Sequence, residues 1–186
     1  MSAPRRETVS NDADLLILVD EHDQEIGQLD KQACHDGAGT LHRAFSVFIF
    51  NTDGDLLLQQ RASDKRLWPE YWSNTCCSHP RIGEAMDDAV QRRCQEELGF
   101  QTPLTFVYKF QYQAQYGDAG AEHELCSVYV GHYSGNLDVN HSEVAATRWI
   151  SQAALANEMS SNPDRFTPWF QMEWQTLNDA HGQHLP

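Results

Sequence analysis

The segment spanning residues 83–99 constrains the fold of this 186-residue chain more than any other. Apolar side chains recur in it at helical spacing: Ala85, Ala89, Val90, Cys94 and Leu98. Gly99 follows, and glycine commonly ends a helix by adopting a left-handed conformation. The pattern therefore predicts a helix over residues 83–98 with one buried face.

Segments rich in valine, isoleucine and aromatic residues surround this helix and predict strands. They span residues 14–20, 43–51, 56–61, 72–75, 104–116, 124–133 and 146–151. Two more helices are predicted after them, one capped by Ser151 and one begun by Pro168. We predict an α/β (α+β) fold, a mixed β-sheet packed between helices in a single compact domain. The predicted domain spans residues 13–180, between a flexible N-terminal tail (1–12) and a C-terminal tail (181–186).

Composition restricts the partners and the compartment. Hydrophobic residues make up 40% of the chain, enough for a core, but no apolar run approaches the ~18 residues of a membrane span. The N-terminus has no apolar stretch typical of a secretory signal, so a cytoplasmic protein is expected. The net charge of -14 argues against nucleic-acid binding. An anionic ligand would need a local basic pocket or bound cations, and the chain has only three lysines.

Two adjacent cysteines, Cys76 and Cys77, precede His79 in the stretch "WSNTCCSHP". The chain has five cysteines, an odd number, and a reducing compartment disfavours disulfides. Spacing alone leaves metal binding, catalysis and packing open for this pair.

The C-terminal half of the predicted helix, "RRCQEELG", carries alternating charges. Such a run is often a solvated face with Arg–Glu pairs three or four residues apart. Its spacing, however, resembles a degenerate Nudix box, with these residues in register: Glu84, Arg92, Cys94, Glu96, Glu97, Gly99 and Phe100. Ser78 stands at the position of the first glycine, and Arg93 replaces a glutamate. In the Nudix family these acids hold divalent cations against a diphosphate, so the loss of one puts ordinary hydrolysis in doubt.

Histidines and acids elsewhere suggest a metal site. His35, His42 and His79 are separated in sequence, whereas Glu122 and Glu124 lie two apart in a predicted strand and so share a face. Three imidazoles with one or two carboxylates suit Zn²⁺, Mn²⁺ or a similar ion. No short-range metal motif links them, so solvated histidines and an exposed edge strand remain alternatives.

Six separated segments together resemble the type I isopentenyl-diphosphate isomerase family. They are "LDKQACH", "TLHRAFSVFIFN", "RASDKRLWPEYWSNTCCSHP", "RRCQEELG", "EHELC" and "FTPWF". The resemblance implies a Nudix-like fold and the interconversion of isopentenyl and dimethylallyl diphosphate, through proton transfers and a tertiary carbocation. Oligomeric state stays open, with a monomer favoured.

The resemblance also implies roles for individual residues. Cys77 and Glu124 would be catalytic, supported by Tyr112 and Trp169, while Cys76 would only pack. The first divalent ion, Mn²⁺ or Zn²⁺, would be held by His35, His42, His79, Glu122 and Glu124. Glu97 and the main-chain carbonyl of Cys77 would meet Mg²⁺ carried by the diphosphate. The diphosphate itself would contact Lys31, Arg61 and Lys65, with Arg93 a further candidate.

Two other functions stay open at this point. A Nudix hydrolase would cleave a diphosphate, although Arg93 disfavours it. A non-catalytic, zinc-stabilised interaction module would unfold on chelation.

Overall fold

A computed structural model describes residues 5–186 of the chain, which contain nine strands and four α-helices. The strands are β1 (Leu15–Val19), β2 (Glu25–Asp30), β3 (His42–Phe50), β4 (Leu56–Arg61), β5 (Trp72–Ser73), β6 (Cys76–Ser78), β7 (Leu104–Tyr116), β8 (Gly120–His132) and β9 (Val144–Ile150). The helices are α1 (Lys31–Cys34), α2 (Met86–Leu98), α3 (Gln152–Ser161) and α4 (Pro168–Ala180). Short 3-10 helices follow α3 (Pro163–Arg165) and α4 (Gly182–His184).

All nine strands belong to one mixed sheet, and β3 lies at its centre. β3 pairs in parallel with β8 and antiparallel with β6, and β8 pairs antiparallel with β7. β3 also pairs with β4, which in turn pairs with β5 and β9. β1 pairs with both β3 and β2 and so joins β2 to the sheet. Because β3 pairs with both β6 and β8, side chains from distant parts of the chain lie next to one another.

Helices cover both faces of this sheet. On one face α2 buries Cys94 and Leu98 against alternate residues of β3, Phe45 and Val47. On the other face α4 buries Phe170 among the remaining alternate residues of that strand. The strand β3 is an almost continuous apolar run because both of its faces are covered. The predicted mixed sheet between helices is confirmed.

Most predicted elements are present, with corrected ends. The helix predicted from residue 83 begins at Met86, because Gly83 adopts φ 74° and residues before Ala85 form a turn. Gly99 ends that helix in a left-handed conformation, φ 78°, as predicted. The strand predicted over residues 124–133 starts earlier, at Gly120, because it forms a long hairpin with β7. The sequence did not indicate α1 or β6, which are only four and three residues long.

The described part of the predicted N-terminal tail lies against the domain. The Arg5 guanidinium donates to the Glu96 carbonyl at 2.8 Å, near the end of α2. The Asn140 side chain donates to the Glu7 carbonyl at 2.8 Å and accepts from the Glu7 amide at 3.0 Å. Residues 1–4 of that tail lie outside the described residues, and the domain limits stay a prediction. None of the helices in residues 5–186 is long and apolar enough to cross a membrane.

One carboxyl group of α4 is buried without a charged partner. Glu173 is completely inaccessible; its Oε1 accepts from the Cys126 thiol at 3.5 Å, while Oε2 has no hydrogen-bond partner. Burial raises the pKa of Glu173 to about 8, although hydrogen bonds from Ser46 and Cys126 lower it in part. Glu124, Tyr108 and Cys77 are further titratable groups near it.

Glu173 should therefore make folding less favourable as pH rises. Between the unfolded pKa of a glutamate and about 8, the native state retains a proton that the unfolded state releases, so stability falls with pH. Glu173→Gln should remove this dependence of stability on pH. Its free energy of unfolding relative to wild type should therefore rise by on the order of 3 kcal/mol from pH 5 to pH 8. Urea unfolding at several pH values measures the free energy of unfolding of both proteins. Glu70→Gln, at an exposed glutamate, is the control; parallel pH profiles for wild type and Glu173→Gln would contradict the prediction.

Candidate functional site

Strand register brings three predicted site residues into one row across the sheet. His42 on β3 is the parallel partner of Glu124 on β8, and Glu124 is the antiparallel partner of Tyr112 on β7. Paired residues on adjacent strands point to the same face. His123 points to the opposite face, where it contacts Gln111 at 3.1 Å, as the spacing predicted.

The two adjacent cysteines face opposite sides of the sheet. They lie in β6, where successive side chains alternate. Cys76 is fully buried with Cys94 under α2, as a packing role requires. Cys77 pairs across the strands with Ser46 and faces the α4 side, partly exposed to a cavity. His79, two residues later, extends toward the row that contains His42 and Glu124.

Four of the five predicted metal ligands form one group. Ligand atoms of His35, His42, His79 and Glu122 all lie within 4.8 Å of one another. The fifth, Glu124, adjoins the group, with Oε1 3.1 Å from His79 Nε2 and 3.7 Å from His42 Nε2. Glu122 Oε2 lies 2.7 Å from His35 Nε2 but without hydrogen-bond geometry. Atoms arranged in this way face a common point between them.

Main-chain carbonyls orient two of these imidazoles. His35 Nδ1 lies 2.5 Å from the Lys31 carbonyl and His42 Nδ1 lies 2.7 Å from the Thr40 carbonyl. A carbonyl can only accept, so each Nδ1 carries the proton when the ring is neutral, and each Nε2 keeps a free lone pair. Burial lowers the pKa of His79 to about 4, so that imidazole is neutral, whereas the Glu122 carboxylate raises the pKa of His35 against the effect of burial. Neutral imidazoles with a carboxylate are a suitable donor set for a divalent transition metal.

Glu124 connects this group to a buried phenol. The Tyr112 hydroxyl donates to Glu124 Oε2 at 2.7 Å, while Glu124 Oε1 faces the histidines. Although burial opposes ionisation, the nearby His42 and His79 rings hold the pKa of Glu124 well below its usual range. Burial raises the pKa of Tyr112 well above its usual value, so it remains a hydrogen-bond donor.

Cys77 and Glu124 line the same small cavity, of about 70 Å³. Burial raises the pKa of the Cys77 thiol to about 12, although the nearby Arg61 opposes this. The thiol is therefore protonated at neutral pH, and its thiolate would be a strong base. Trp169, at the start of α4, also lines the cavity and lies 6.3 Å from the Tyr112 ring.

The other end of the cavity is cationic. Lys31, Arg61 and Lys65 line both this cavity and a wider one of about 240 Å³ outside it. The Arg61 guanidinium donates to the Leu67 carbonyl at 2.9 Å and lies 5.3 Å from the centre of the Trp169 ring. The three predicted diphosphate contacts are thus brought together.

Helix α2 contributes buried ion pairs to this end. Arg93 is only 3% exposed and pairs with Glu97, and both residues line the inner cavity. Arg92 pairs with Glu84 at 2.7 Å and Glu96 at 2.9 Å outside it. All three box carboxylates are therefore neutralised by arginines.

The sequence reasoning missed two residues of the cationic end. Glu143, in the turn before β9, lies 2.5 Å from Lys65 Nζ, and the Ser10 hydroxyl accepts from Lys31 Nζ at 2.6 Å. Neither belongs to a motif, and no spacing signal could have found them.

Comparison with known proteins gives a consistent result. The NUDIX domain family matches residues 40–170. Isopentenyl-diphosphate Delta-isomerase 1 of Photorhabdus laumondii is 43% identical over 172 residues, which cover 91% of this chain and 98% of that protein. Isopentenyl-diphosphate Delta-isomerase of Burkholderia multivorans is 46% identical over 155 residues, 83% of this chain and 88% of that protein.

Solved structures show the same fold at low identity. The DR0079 protein of Deinococcus radiodurans has a TM-score of 0.66 at 19% identity, over 80% of this chain and 90% of that one. A MutT NUDIX hydrolase from Burkholderia pseudomallei has a TM-score of 0.58 at 21% identity, over 73% of this chain and 97% of that one.

Proposed function

Because this chain belongs to the isopentenyl-diphosphate Delta-isomerase family and carries a NUDIX domain, we propose that it interconverts isopentenyl and dimethylallyl diphosphate at the cavity described above. The observation that carries the proposal is the placement of Cys77 and Glu124 on the walls of one cavity with a cationic end. A proton donor and a proton acceptor on separate walls, with an anion site beside them, suit a double-bond shift in an alkenyl diphosphate.

The reaction adds a proton to one carbon of the alkene and removes a proton from another. A group that donates or accepts such a proton must lie within hydrogen-bond reach of its carbon. Cys77 and Glu124, on the walls of the cavity, are the groups that exchange these protons. The Tyr112 hydroxyl orients the Glu124 carboxyl by its bond to Oε2. The intermediate is most simply a tertiary carbocation, and the Trp169 ring offers it a π face worth roughly 0.5–2 kcal/mol. Tyr112 and Trp169 are the aromatic residues of the wall, and water must be kept away from this cation because it would trap it as an alcohol.

We further propose that the group His35, His42, His79, Glu122 and Glu124 holds Mn²⁺ or Zn²⁺. The ion would supply positive charge beside Glu124, which favours its charged form and strengthens it as an acid when protonated. Glu97 and the main-chain carbonyl of Cys77 would meet the Mg²⁺ that accompanies the diphosphate. This role requires Glu97 to turn from Arg93 toward the incoming cation.

The alternative of Nudix-type hydrolysis is supported only by the domain match. Arginines pair with Glu84, Glu96 and Glu97, and only Glu97 is proposed to turn toward a cation, so the box lacks the several free carboxylates that a cluster of cations needs. The two activities have different products, so one experiment separates them.

That experiment follows isopentenyl diphosphate with Mg²⁺ in deuterated water by NMR. We expect dimethylallyl diphosphate to appear with deuterium incorporated, because protons added by the enzyme exchange with solvent. Release of inorganic phosphate without the allylic isomer would instead establish hydrolysis.

Lys65→Ala should mainly raise KM, by about 10- to 100-fold, with a smaller effect on kcat. The Lys65 ammonium lines the outer and inner cavities but lies at the cationic end, away from the transferred protons. Steady-state kinetics measure the two constants. Lys109→Ala, at a lysine that pairs with Asp23 on the protein surface, is the control. An unchanged KM in Lys65→Ala would remove Lys65 from the diphosphate site.

A further inference from the structure

The cavity wall contains one carboxylate that the proposed reaction does not use. Glu143 is 7% exposed, and its Oε2 lies 2.5 Å from Lys65 Nζ and 3.2 Å from the Arg93 guanidinium. Its main chain is fixed as well, since the Ala62 amide donates to the Glu143 carbonyl at 3.1 Å. One oxygen thus contacts two cationic side chains that face the anion-binding end.

This carboxylate is ionised in the folded protein. Burial opposes ionisation, but the charges of Lys65 and Arg93 hold the pKa of Glu143 below its ordinary value. The inner cavity is lined by four cationic side chains, Lys31, Arg61, Lys65 and Arg93, and Glu143 pairs with the last two. The cationic end is therefore partly neutralised before any ligand arrives.

A diphosphate that enters this end meets Glu143 as a like charge. A free diphosphate is multiply charged and must either displace Glu143 from Lys65 or lie beside it, and both cost free energy in a partly buried site. A diphosphate that carries a divalent cation has less net negative charge, and its cation can face the carboxylate. The two forms of the ligand should therefore bind with very different affinities.

From these contacts we propose that Glu143 is a specificity-determining residue, which selects the cation-bound form of the diphosphate over the free anion. The inference rests on the proposed function, because it assigns the cationic end to a diphosphate. Glu143 acts through its charge and its hold on Lys65, and it takes no part in proton transfer.

Isothermal titration calorimetry with inorganic diphosphate tests the proposal, in excess Mg²⁺ and in buffer freed of divalent cations without a chelator. Wild type should bind at least about tenfold more tightly with Mg²⁺. Glu143→Gln keeps the shape and removes the charge, so it should bind metal-free diphosphate about tenfold more tightly than wild type and show a correspondingly smaller Mg²⁺ preference, with Glu97 supplying the remainder. Glu143→Asp keeps the charge and should retain the preference.

Glu96→Gln is the matched control. Glu96 also contacts Arg93, at 3.3 Å, but does not line the cavity, so this variant should keep the wild-type ratio of the two affinities. Equal affinities in wild type, which needs no variant, would overturn the proposal. So would a ratio in Glu143→Gln that matches wild type, as a purely structural role predicts. Isomerisation by wild type is measured in a separate assay. Absence of isomerisation would contradict the proposed function, whereas the binding ratios test only the role of Glu143.

Discussion

Cys77→Ala should lower isomerisation by about 10³-fold or more, while the protein stays folded and keeps its metal. The thiol lies on the wall of the cavity that also contains Glu124, and no other cysteine lines that cavity. Its removal deprives one side of the substrate of its proton donor or acceptor. Its side chain is not part of the group of four candidate metal ligands. Turnover by NMR, circular dichroism and metal analysis measure the three properties.

Cys76→Ala is the matched control, at the adjacent position and with the same change of side chain. Cys76 is fully buried on the opposite face of the sheet, among residues that pack under α2. We expect near wild-type turnover and a loss of about 1 kcal/mol in the free energy of unfolding, from the small cavity left behind. Normal isomerisation by Cys77→Ala, or equal losses of turnover in both variants, would refute the assignment of the thiol.

Glu124→Gln should also lower turnover by about 10³-fold or more, because an amide cannot exchange a proton with an alkene. The carboxylate lies between the Tyr112 hydroxyl at 2.7 Å and the His79 ring at 3.1 Å. Tyr112→Phe removes only the group that orients it, so a smaller loss of about 10- to 100-fold is expected. The order of the two losses separates proton transfer from orientation.

Metal content separates the two roles proposed for Glu124. His35, His42, His79 and Glu122 form a group without it, so Glu124→Gln should retain a metal ion under dialysis. His42→Ala removes a fully buried member of that group and should lose the ion. Metal analysis after dialysis reports both results. If Glu124→Gln loses its metal as readily as His42→Ala, its low turnover would be explained by metal loss, and the catalytic assignment would lose its support.

Local patterns in the sequence predicted most of the helices and strands and named the candidate site residues. The helix that ends at Gly99 follows from apolar periodicity and a glycine stop, and the strands follow from β-branched and aromatic runs. These signals are local, since each depends on residues within one element. The motif order further indicated the family, which the comparisons confirm.

Which side chains meet depends on contacts between elements that are far apart in the sequence. Cys76 and Cys77 differ in role because β6 is a strand and its side chains alternate, but β6 is three residues long and exists through its pairing with β3. The contact of Glu143 with Lys65 joins residues 78 positions apart and has no sequence signal. Strand register and helix packing are fixed by many weak contacts between residues that are far apart in the sequence. For that physical reason the sequence could identify the candidate acids and bases, whereas the fold determined how their charges are paired.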